Sequence, residues 1–177
     1  MKKIFTILLL SGSLLMSGCS DWLDILPQDK QSTDMYWESS EDVEAILAQG
    51  YSRLRTCVPY IINWGELRGS SVIVPGRGTK TGLIQNFQVL PSTSTVQWGT
   101  FYQVIGVANA VLKYAPTVMD KDASYYESRM NSHLTEAYFL RGLSYLYLVR
   151  NFREVPLITE PYVDDAMPND VAKSSET

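Results

Sequence analysis

The chain has 177 residues, a formal net charge of −4 and no cluster of lysine or arginine after Lys3, which argues against nucleic acid as a partner. Two cysteines, Cys19 and Cys57, cannot build a disulfide framework. The length is compatible with one domain that buries a modest core.

Lys2 and Lys3 form a positive leader, Ile4 to Leu10 a short apolar run, and Ser17-Gly18 puts small side chains directly before Cys19. This is the pattern of a bacterial lipoprotein processing site. The apolar run breaks at Ser11-Gly12-Ser13, well short of the roughly 20 residues a transmembrane helix needs. Residues 1–18 are therefore expected to be a lipoprotein signal peptide, and Cys19 the new N-terminus carrying acyl chains such as palmitate. Residues 19–37, with Pro27 and neither a helical nor an alternating period, read as an extended tether. Residues 38–177 read as a helical domain.

The first helix is predicted to start near Ser39, with Asp42 as its capping partner, and to present Val43, Ile46, Leu47, Gly50, Tyr51 and Leu54 at steps of three and four. Pro59 is expected to end it. From Tyr60 to Thr95 the glycines and prolines predict a long irregular loop, and loops of that length are usually functional or disordered. A second helix is predicted over Val96 to Ala115, with Trp98, Phe101, Tyr102, Ile105, Ala108 and Leu112 on one face and Pro116 closing it.

A third helix is predicted from Ser124, with Glu127 as capping partner, to about Val149. Its second half is apolar nearly all round, which calls for cover on more than one face. The second and third helices are expected to pack as an antiparallel pair that buries Tyr102, Ile105, Tyr138 and Tyr145, with a close crossing at Gly142. Asn151 to Thr177 returns to loop, and Ser174-Ser175-Glu176 reads as a helix cap with no helix after it.

No catalytic constellation emerges, so the chain is read as a non-enzyme that needs neither cofactor nor metal. Gly76-Arg77-Gly78-Thr79-Lys80-Thr81-Gly82 invites a phosphate-loop reading, but that motif requires glycine directly before the lysine, where Thr79 stands. The single histidine, His133, has no nucleophile or metal ligand at a useful spacing and reads as a helix-surface or capped core residue. Glu41-Asp42 suits a helix's opening turn, and Asp164-Asp165 a solvated loop. Cys57 reads as a small buried hydrophobe.

Three segments carry a family resemblance. Cys19-Ser20-Asp21-Trp22-Leu23-Asp24-Ile25-Leu26-Pro27 with Tyr36-Trp37, then Trp98 to Ile105 with Asn109 to Leu112, and most specifically Glu136-Ala137-Tyr138-Phe139-Leu140-Arg141-Gly142-Leu143-Ser144-Tyr145 followed by Val155-Pro156-Leu157, resemble the N-terminal part of the SusD/RagB family. Two departures are Gly142, where alanine is commoner, and Phe152-Arg153-Glu154, where the family usually has a glycine before the valine-proline. The resemblance implies an all-α fold of tetratricopeptide-like helix pairs, with the long loop between the first and second helices. It also implies a truncated member or a fragment, because the family's pattern continues well beyond this length.

The resemblance further implies a lipid-anchored, surface-facing outer-membrane protein that captures glycan or peptide nutrients for a TonB-dependent transporter of the SusC type. Aromatic faces stack on sugar rings and neighbouring polar groups bond hydroxyls, so the loop residues Tyr60, Asn63, Trp64, Glu66 and Arg68 are the candidate ligand contacts. Asn109 and Arg141 match family positions, yet sit among core residues and are expected to hydrogen-bond a helix pair. The rival reading is a lipid-anchored helical-repeat adaptor in the periplasm that binds only protein partners. The anchor itself is directly testable. Mass spectrometry of membrane-derived protein should find an acylated Cys19 as the first residue, and Cys19→Ala should leave an unprocessed or released form.

Overall fold

The computed structural model describes residues 36–69, 71–89, 96–161 and 173–174. The expected signal peptide, Cys19 and nearly all of the tether lie outside the described residues. The elements below all belong to the compact unit Trp37–Thr177. They are α1 (Ser40–Gly65), a 3-10 turn at Glu66–Arg68, α2 (Lys80–Gln85), α3 (Gly99–Val118), α4 (Glu127–Phe152), and the strands β1 (Val155–Pro156) and β2 (Lys173–Ser174). The architecture is all-α, as the sequence predicts. None of the described helices is long and apolar enough to cross a membrane.

α1 begins where the capping box places it. The Ser39 hydroxyl accepts from the Asp42 amide and the Asp42 carboxylate accepts from the Ser39 amide at 2.8 Å, so two otherwise orphaned donors are satisfied. The Ser39 hydroxyl also donates to this carboxylate and holds its pKa below the ordinary value. Pro59 does not end the helix. It lies on an exposed face, so the carbonyl one turn back that it leaves without an amide faces solvent, and the helix continues to bring Trp64 into the core. Pro116 likewise sits inside α3, which runs on to the buried Val118.

The predicted cap at Ser124 is not made. Ser124 instead donates its amide and hydroxyl to Asp122 at 2.8 and 2.7 Å, and α4 starts three residues later with no side-chain cap. Asp122 also accepts from the Ser40 amide at 2.9 Å, joining the start of α1 to the α3–α4 connection. Led by the Ser124 hydroxyl, these donors hold the Asp122 carboxyl at about 2.

α3 is the central helix, packed against both α1 and α4. Phe101, Val104, Ile105, Ala108, Val111, Ala115 and Val118 from α3 are fully buried with Val43 and Leu47 of α1 and Ala137, Leu140 and Leu148 of α4. Cys57 belongs to the same core, and burial pushes its thiol up to about 11. Trp37, expected at the end of the tether, is buried here too and stacks on Tyr114 with ring centroids 5.4 Å apart.

On α4 the inner stripe is His133, Ala137, Leu140, Ser144 and Leu148, a helical repeat of four and three. Tyr138 is one step off that stripe and, contrary to expectation, 57% exposed, with the Arg141 guanidinium over its ring. Ile105 is buried as expected, while Tyr102 and Tyr145 are half-buried. Phe139 and Leu146 also face outward, so among the described residues the apolar circumference of α4 is covered on one side only.

The close crossing expected at Gly142 is at Gly50 instead. A side chain on Gly50 would come within 2.9 Å of the Leu140 side chain and 3.2 Å of Val107, whereas nothing lies within 4 Å of one on Gly142.

The predicted loop is shorter than expected and carries α2. Thr79 caps it by accepting from the Gly82 amide at 3.1 Å, and Gly82 is required because any Cβ there would collide with the Gly76 carbonyl. Arg153 ends α4 at φ 65°, a left-handed conformation at the turn where the sequence resemblance leads one to expect glycine. β1 then pairs with β2 in antiparallel register, Val155 opposite Ser174, where the sequence reads as loop and a helix cap.

The two glycines separate by substitution. Gly50→Leu should destabilise the fold by about 1–3 kcal/mol through overpacking, while Gly142→Ala should raise stability by up to about 1 kcal/mol. Urea denaturation followed by circular dichroism measures both.

Candidate functional site

Extending α1 through Pro59 changes the setting of three of the five candidate residues. Tyr60, Asn63 and Trp64 lie on the last turns of α1 rather than on a loop, while Glu66 and Arg68 lie on the 3-10 turn after it. Trp64 is 7% exposed. It stacks on Phe101 at 5.3 Å, meets Phe152 edge-on at 5.3 Å and contacts Tyr60 at 5.7 Å. Its ring faces are therefore occupied by the protein, and it has no face to offer a sugar.

What the fold does bring together is a surface groove of about 410 Å³ at the end of the bundle. Trp64, Glu66 and Arg68 line it from one side, and Tyr147, Arg150 and Asn151 from the last turns of α4. Tyr60 and Asn63 are half-buried and do not line it. The Asn151 amide nitrogen donates to the Tyr147 carbonyl at 2.7 Å, which fixes the side chain and leaves its oxygen as an acceptor. Tyr147, Arg150 and Asn151 were missed from sequence because they sit inside a helix that reads as core. Their spacing of three and four does place them on one face of α4, but nothing local pairs that face with residues 66–68.

Two other polar constellations are structural. Asn109 and Arg141 bond each other at 3.0 Å across α3 and α4, as the sequence led us to expect, and both also hold the chain after β1. His133 is a capped core histidine. Its Nδ1 lies 3.1 Å from the Tyr125 hydroxyl, and its Nε2 lies 3.7 Å from Glu44, which is itself paired with Arg129 at 2.6 Å. Burial pushes Tyr125 up to about 12, so its hydroxyl stays protonated. Among the described residues no group of three His, Cys, Asp or Glu side chains could hold a metal ion.

Burial thus divides the candidates into packing and surface residues. Trp64→Ala should cost about 3–5 kcal/mol of stability, whereas Glu66→Ala and Arg68→Ala, on exposed residues, should stay within about 0.5 kcal/mol. Guanidinium denaturation curves of the three variants decide this.

Comparison with known proteins matches residues 21–175 to a SusD-like family model described as starch-binding and associating with the outer membrane. Two SusD-like proteins of Formosa agariphila are 29% and 26% identical to this chain, over 94% and 99% of its length. A SusD-like protein of Bacteroides ovatus is 26% identical over 84% of it. The chain spans 34% of the length of each Formosa protein and 27% of the Bacteroides one. No solved structure matches. Since the family model accounts for nearly the whole sequence after the first 20 residues, including every helix described above, the chain belongs to the SusD-like family.

Proposed function

We propose that this chain serves in the capture of glycan, or of peptide, at the outer membrane and in its delivery to a TonB-dependent transporter of the SusC type. It is held there by acyl chains on Cys19, facing the cell surface, and performs no chemistry on what it binds. The observation that carries this reading is the match of residues 21–175 to a starch-binding, outer-membrane-associated family. The groove at the end of the bundle is the surface where we place ligand contact. There Arg68, Arg150 and the Asn151 oxygen offer donors and an acceptor to hydroxyl groups, on helices held rigid by the aromatic core beneath them. Of the five residues nominated from sequence, Glu66 and Arg68 remain direct contacts in this proposal. Tyr60, Asn63 and Trp64 support the groove from α1.

The test is isothermal titration of the detergent-purified lipoprotein with maltoheptaose, other neutral and acidic oligosaccharides, and casein peptides. Outer membranes carrying a tagged form should be solubilised in parallel. Saturable binding to one class, and co-purification of a TonB-dependent transporter, are the expected results. Absence of binding across the whole panel together with absence of a transporter overturns the proposal.

A further inference from the structure

We infer that the groove between the end of α1 and the end of α4 recognises a negatively charged oligosaccharide, one bearing carboxylate or sulfate groups, through Arg68 and Arg150. This rests on the glycan-capture reading above and deepens it to a ligand class.

The first observation is that the groove offers little for stacking. Neutral sugars are held largely by aromatic faces, and the tryptophan here is 7% exposed, stacked on Phe101 and perpendicular to Phe152, with Tyr60 tilted beside it. The one other ring that lines it, Tyr147, is half-buried and packs against Phe101 at 6.2 Å, so the groove presents mainly charge and hydrogen-bonding capacity.

The second observation concerns the two guanidinium groups. This is an acidic chain, with 19 aspartates and glutamates against 15 lysines and arginines. Several of its cations are engaged: Lys113 with Glu160 at 3.3 Å, Lys121 with Glu38 at 2.7 Å, Arg129 with Glu44 at 2.6 Å, and Arg53 and Arg141 with side-chain amides. The Arg68 and Arg150 guanidiniums, like the side chains of Arg55, Arg77, Lys80 and Arg153, form no hydrogen bond or ion pair among the described residues, but these two alone line this groove, from distant parts of the sequence. One carboxylate, Glu66, lines it with them and forms no ion pair with either among the described residues. The groove is thus locally positive on a negative protein.

A guanidinium presents a planar fork of donors that matches the paired oxygens of a carboxylate or sulfate. The hydroxyls of the same sugars then find the Asn151 oxygen, left over after its nitrogen bonds the Tyr147 carbonyl, and the Tyr147 hydroxyl. Arg150 also sits in the last turn of α4, where a cation suits the helix dipole. That role requires neither Arg68 nor an empty groove, so the two functions can be separated by experiment.

Isothermal titration of the lipoprotein in detergent should use three probes: a hexameric oligogalacturonate carrying carboxylates, a carrageenan tetrasaccharide carrying sulfates, and neutral maltoheptaose. At least one acidic probe should bind, and more weakly as sodium chloride is raised. Arg68→Gln and Arg150→Gln should each weaken it by about tenfold or more, lowering affinity for the acidic probe more than for maltoheptaose, with helical content by circular dichroism unchanged. The double substitution Arg68→Lys and Arg150→Lys keeps charge and helix dipole while losing the fork, and should lose part of the affinity. Which acidic probe binds distinguishes carboxylate from sulfate. Failure of both acidic probes, or acidic binding that survives loss of both arginines, overturns the inference. If maltoheptaose still binds in those cases, glycan capture stands without it; if no probe of the wider panel binds and no transporter co-purifies, both readings fall.

Discussion

The buried amide of Asn109 is the constraint around which the second half of this protein is arranged. At 1% exposure it has no access to solvent, so each of its polar atoms requires a partner inside the fold. Its oxygen takes the Arg141 guanidinium across the helix pair, and its nitrogen donates to the carbonyls of Ile158 and Glu160 at 3.0 and 3.3 Å. One side chain thereby fixes α3 relative to α4 and draws the extended chain after β1 onto both. Leaving such a group unmatched costs more than the bond itself returns, so the arrangement selects against alternative registers.

The same extended chain shows how irregular backbone is accommodated beside a helix pair. Residues 157–160 form no strand ladder, yet their polar groups require partners where they approach the core. Helix side chains supply them. The Tyr102 hydroxyl donates to the Pro156 carbonyl at 2.6 Å, and the Tyr145 hydroxyl both accepts from the Ile158 amide at 2.6 Å and lies 3.0 Å from its carbonyl. These two rings also meet edge-on, and their hydroxyl bonds to residues 156 and 158 explain why tyrosine rather than phenylalanine serves at both half-buried positions.

Beside these tyrosines, with Trp98 touching both Tyr102 and Phe152, packing is aromatic. Trp64, Phe101, Phe152 and Tyr147 join the ends of α1 and α4 to the start of α3. This cluster gives the candidate groove a rigid base while using up the ring that sequence reasoning had assigned to ligand. Arg153 turns the chain away directly afterwards in a left-handed conformation that disfavours any residue with a Cβ. The chain accepts that local strain between the end of α4 and β1, and residues 156–160 are then held by the helix side chains.

The sequence by itself determined the three long helices, the all-α class and the family, because these are written in local patterns, whereas α2, β1 and β2 lie where it reads as loop or cap. The Ser39-Asp42 cap, the periodic burial of α1 and α3, and the segment from Glu136 to Tyr145 with Val155-Pro156 after it are all contiguous in the chain. It also singled out Asn109 and Arg141 as a helix-pair bond and Cys57 as packing. Helix ends were less legible. A proline inside a helix loses one hydrogen bond and its ring crowds the carbonyl four residues back, a cost that is met most easily on an exposed face, and the exposure of Pro59 and Pro116 is a tertiary property. The site depended on this. With α1 running through Pro59, Trp64 became core, and Arg68 came to share a groove with Arg150 from the far end of α4. Periodicity places a residue on a face, but which face meets which is settled by the packing of whole helices. Only the tertiary structure decided that Gly50 rather than Gly142 lies at the tight crossing, and which charges stand together at the surface.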